Sequence, residues 1–128
     1  MKTELIQNSD LHFDHKQWNN ELDLWQDELK SFNKRLEELV MRSTDKDVMV
    51  QVEHFQNVFI IHTKVVDALK RHIKVHETNL AFHSKKGEDV IDQVYVQQHL
   101  EIKNRIKTQR NLFGELKKEF LPFISANL

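Results

Sequence analysis

LHFDHKQWNNELDLWQDELKSFNKRLEEL, residues 11–39, decides the fold. Leu11, His15, Trp18, Leu22, Trp25, Leu29, Phe32, Leu36 and Leu39 follow one another at alternating steps of four and three. That spacing keeps one stripe of a long helix turned toward a partner helix. The rhythm returns further on, in Val48, Val52, Phe55, Phe59, His62, Val66, Leu69, Ile73, His76, Leu80 and His83. A third seam is less regular: Ile91, Tyr95, Gln98, Ile102, Ile106, Gln109, Phe113, Leu116, Phe120 and Phe123. Its successive steps of four at Gln98, Ile102 and Ile106 read as a stutter, which locally unwinds a supercoil.

The punctuation between the stripes is short. Ser9 and Asp10 suit the start of a first helix, because their side-chain oxygens accept from free backbone N–H groups. Ser43, Thr44 and Asp45 mark a tight turn, with Thr44 and Asp47 as a capping pair. Gly87 suits the left-handed end of a second helix, and Glu88 and Asp89 the start of a third. Pro122 discourages continuation beyond Leu121, so Phe123 and Ile124 would fold back over the bundle end. Short connections between long helices make neighbours antiparallel. The expected fold is all-α: one domain over residues 1–128, an antiparallel up-down-up bundle of three long helices near residues 10–41, 46–84 and 88–121.

Composition agrees with this. Two Gly, one Pro, 39% hydrophobic and 30% charged residues fit a helical bundle and argue against a sheet. A net charge of −1 provides no global field toward nucleic acid or membrane. The absence of cysteine removes disulfides and thiolate chemistry, and it fits a cytoplasmic setting. No apolar run is long enough to span a bilayer, and the first residues lack an apolar signal region.

Four of the eight histidines, His15, His62, His76 and His83, stand on the seams where Leu or Val would pack more simply. Centring each turn symmetrically puts His72 opposite His15, and His76 opposite Leu11, His12 and Gln98. One end of the bundle then gathers His12, His15, His72, His76, Gln98, His99 and Glu101, with Glu77 on the flank. His72 and His76 project from one helix face, as do His12 and His15. With a carboxylate from Glu101 or Glu77, these residues form a nitrogen and oxygen set suited to zinc, iron, copper or nickel. Bundle-core metal sites are built in this way, from facing helices. The candidate ligands are therefore His12, His15, His72, His76, Glu101 and Glu77. His62 falls near Gln109 to Asn111, where a structural hydrogen bond is expected.

The pattern resembles the hemerythrin-like oxygen- and iron-binding proteins. An early helix-one histidine (His12 or His15) and the His72-xxx-His76 pair carry the likeness, which implies iron coordination in the bundle core. The chain departs from that family elsewhere. The family has four helices, a His-xxx-Glu pair on the second and a His-xxxx-Asp pair on the last. Here His54 is followed four on by Val58, and His99 five on by Asn104. Ferritin-like di-iron proteins fit less well, because Glu-xx-His pairs are missing from the layer.

Other chemistries lack support. No Gly-rich loop cradles phosphate, and no serine has the elbow of a hydrolase nucleophile. A narrow core leaves little room for a substrate, so the chain is not read as an enzyme. Lys103, Lys107 and Arg110 share a face near Lys70, Arg71 and Lys74, yet no aromatic platform interleaves with them, which argues against nucleic acid. The competing reading is a structural or interaction module. Phe13, Val58, Ile61, Val65, Val94 and Leu112 widen the apolar stripes, and any width the core leaves uncovered would meet a helical partner or a second copy.

Overall fold

Heptad spacing produces three helices packed side by side. The computed structural model describes residues 8–85 and 93–128, and their side chains except those of residues 8–9 and 82–85. Helix α1 runs Asn8–Arg42, α2 Lys46–Lys85 and α3 Gln93–Asn127. The readings of His83, Gly87, Glu88, Asp89 and Ile91 fall outside the described residues or side chains.

Polar pairs along the edges fix the directions. Asp23 pairs with Lys70, and Gln26 Nε2 donates to Asp67 Oδ1 at 2.8 Å, so α1 and α2 are antiparallel. The Arg110 guanidinium forks onto Glu21 with both bonds at 2.7 Å, and Lys117 donates to Glu28 at 3.2 Å, so α1 and α3 are parallel. The up-down-up bundle is the observed fold.

All nine α1 seam residues are buried. Phe32, Phe55, Phe59, Phe113 and Phe120 form an aromatic knot toward the end of the bundle that holds the α1–α2 turn. Apolar burial at roughly 25 cal/mol per Å² supplies most of the driving force of such a core.

Three local readings are corrected. The cap of α2 is Asp45, not Thr44: its Oδ1 accepts from the backbone N–H of Asp47 at 2.8 Å and of Val48 at 3.2 Å. Those are the free donors of a helix first turn. Helix α3 does not stop at Leu121; it continues through Pro122 to Asn127. Pro122 stands on the exposed side, while Phe123 packs on Phe55 at 5.1 Å between ring centroids and Ile124 is buried. That burial offsets the backbone bond Pro122 cannot make, so Phe123 and Ile124 remain helical instead of folding back. The α3 seam begins one residue out of phase with the reading above. Val96 and His99 are buried, whereas Gln98 is exposed, so the steps preceding Ile106 are three, three and four, with no stutter at Gln98.

The register between α1 and α2 also differs, by about one turn. His15 meets His76 and Glu77 rather than His72. Symmetric centring assumes that the two helices end level across Ser43 to Asp45, and this turn does not hold them so.

Candidate metal centre

One layer breaks the core. Leu11, Leu80 and Val96 form a small apolar cluster at one end, and Trp18, Ile73 and Ile102 begin the main cluster. Between them each helix contributes a histidine: His15 from α1, His76 from α2 and His99 from α3. On every helix the order is apolar, histidine, apolar, so the three rings arrive at one height because the three apolar seams do.

All three rings are buried, at 2%, 3% and 4% exposure. Ring centroids are 5.0 Å apart for His15 and His76, 5.1 Å for His15 and His99, and 5.8 Å for His76 and His99. Each ring offers one nitrogen such that all three lie within 4.8 Å of one another. The Trp18 indole covers His99 at 4.6 Å and closes the layer on the core side.

The polar partners are unequal. His15 Nδ1 donates to Glu77 Oε2, and His12 Nδ1 donates to the other oxygen of the same carboxylate. His99 Nε2 donates to Asp14 Oδ2 at 2.9 Å. The remaining nitrogens, His15 Nε2 and His99 Nδ1, face each other at 3.2 Å. His76 has nothing comparable. Both its ring nitrogens are buried and make no hydrogen bond among the described residues; Gln98 approaches without the geometry of one. A buried polar group without a partner costs about 1–3 kcal/mol, and such groups are rare in folded proteins.

Electrostatics follow from this geometry. Burial, reinforced by His15 and His99, pushes the His76 pKa down to about 4. Burial also lowers His99, against the pull of Asp14. Burial alone would raise Glu77, but the hydrogen bonds from His15 and His12 outweigh it and hold the carboxyl low. Neutral imidazoles with lone pairs turned inward are the form in which histidine binds a metal.

The other sequence candidates stand apart from the trio. His12 is exposed, and among the described residues it reaches only Glu77. His72 is exposed, and its Nδ1 accepts from Arg105 Nη1 at 2.7 Å. Glu101 lines an open cleft of about 320 Å³ between α2 and α3, which His72, His76 and Arg105 also line. His99 was expected in this layer but not as a ligand, and Asp14 was not expected there at all. The clue was the apolar pair Val96 and Ile102, each three residues from His99. His62 makes its structural bond: Gln109 Nε2, on a buried side chain, donates to His62 Nδ1 at 2.7 Å.

No described helix is long and apolar enough to cross a membrane. No family model, curated protein or solved structure matches this chain.

Proposed function

We propose that this protein binds a transition metal ion through His15, His76 and His99. The observation that carries the reading is His76, buried with two ring nitrogens that have no hydrogen-bond partner among the described residues, beside two other inward-facing imidazoles. A metal ion gives one of those nitrogens a partner and removes that part of the desolvation cost. Imidazole donors suit zinc, copper, iron and nickel. His15 and His99 each give their outer N–H to a carboxylate, which is the usual environment of a histidine metal ligand.

Purified chain without a histidine tag tests this. Elemental analysis and calorimetric titration are expected to find one metal ion per chain, with a raised melting temperature. A metal present at a hundred times its Kd adds about 2.7 kcal/mol of stability. No thermal shift with zinc, copper, iron or nickel would remove the reading.

A second reading rests on the outer face of α2. Val58, Ile61, Val65, Ala68 and Val75 repeat at heptad steps there, with Ile61 and Val75 exposed and the others half-buried. Leu112 of α3 borders the same groove. An interaction module would use this strip against a helical partner or a second copy. A chain that stays monomeric at high concentration and retains no helical partner would count against it.

A further inference from the structure

Asp14 precedes His15 in the chain, and Glu77 follows His76, yet neither carboxylate serves its neighbour. Asp14 of α1 accepts a hydrogen bond from His99 on α3, and Glu77 of α2 accepts one from His15 on α1. Successive residues on a helix diverge by about 100°. A carboxylate next to a seam histidine therefore points past the core edge toward the adjoining helix. The lacing fixes which nitrogen of each ring turns inward, Nε2 for His15 and Nδ1 for His99. Among the described residues no carboxylate hydrogen-bonds to His76, although the charge of Glu77 acts on it.

We propose that Asp14 and Glu77 are positioning residues that set the histidine trio for a divalent rather than a monovalent metal ion. This rests on the metal-binding reading above and deepens it. Three neutral imidazoles contribute no charge, and two carboxylates just outside them contribute two negative charges. A dication balances that count; a cuprous ion leaves one negative charge over. The rings are buried while Asp14 and Glu77 are 42% and 34% exposed, so the imbalance is partly screened but less than on an open surface. His12 holds the second oxygen of Glu77 from the solvent side, which keeps this carboxylate aimed at His15.

The test is a comparison of two ions on the untagged full chain, zinc and cuprous copper, each by competition with a chromophoric chelator. Asp14→Asn and Glu77→Gln keep an accepting oxygen and remove the charge, and Asp14→Glu restores the charge. Each neutral variant is expected to lose about 10–100-fold in zinc affinity. Cuprous affinity should fall by only about 3–10-fold, since the lost attraction scales with the charge of the ion, and Asp14→Glu should recover zinc binding. Equal losses for both ions would assign the carboxylates a merely structural role and overturn the inference, as would unchanged zinc affinity. Wild-type chain that takes up neither ion would bring down the metal-binding reading itself. Melting curves of the metal-free variants show whether the fold is kept.

Discussion

His15 Nε2 and His99 Nδ1 face each other across 3.2 Å, on two parallel helices joined only through a third. Each ring uses its other nitrogen on a carboxylate. Two rings so constrained leave little for a third to do as a hydrogen-bond partner, and His76, the third, makes no hydrogen bond among the described residues. Among the described residues the layer is incomplete as a hydrogen-bonded network, and it brings three imidazole nitrogens within 4.8 Å of one another.

His76→Leu separates those two descriptions. Leucine fills similar volume without buried nitrogens. The metal-free variant should be more stable than wild type by about 1–3 kcal/mol, the usual cost of an unsatisfied buried polar group. Urea unfolding measures this. The same variant should lose the metal-dependent rise in melting temperature. A histidine that merely packs well would yield a destabilised variant.

Acid should weaken the metal-free fold earlier than carboxylate protonation alone would. Burial lowers His76 from 6.5 to about 4, and it lowers His99 and His62 in the same direction. The unfolded chain takes up protons near pH 6.5 that the folded chain refuses. The stabilising contribution is therefore whole above that pH and is lost as pH falls toward about 4. Denaturation midpoints measured between these limits should fall steadily, and bound metal should leave the slope at least as steep, because coordination also keeps the rings unprotonated.

Surface histidines should be dispensable. His72 is exposed and tied to Arg105, and His12 reaches only Glu77 among the described residues. Calorimetric titration should find metal affinity in His72→Ala close to wild type. His99→Ala should abolish binding. The opposite order of effects would return the site to the pair His72 and His76.

Gly114 lies inside α3, and a methyl group placed there meets nothing within 4 Å. Gly114→Ala should stabilise the chain by roughly 1 kcal/mol, the difference in helix propensity. Thermal melts of the metal-free protein check this without reference to the site.

The bundle was legible because its evidence is periodic. Nine evenly spaced positions in α1 leave few alternatives, and every one of them is buried. The site was less legible because it depends on register, which periodicity does not determine. A slip of one turn between α1 and α2 exchanges His72 for His76 opposite His15. In α3, Tyr95 and Gln98 fit the heptad arithmetic about as well as Val96 and His99. Packing against Leu11, Leu80 and Trp18 selects the second pair, and that choice appears only when three helices meet. The continuation of α3 through Pro122 has the same origin: tertiary burial of Ile124 overrides a local breaker.

X-ray absorption at the zinc edge, on untagged protein loaded with one equivalent, addresses the trio most directly. Three imidazole nitrogens at roughly 2.0–2.1 Å are expected, and the pattern should vanish in His76→Leu. A shell of oxygen atoms without imidazole scattering, or a spectrum indifferent to that substitution, would contradict coordination by the three rings.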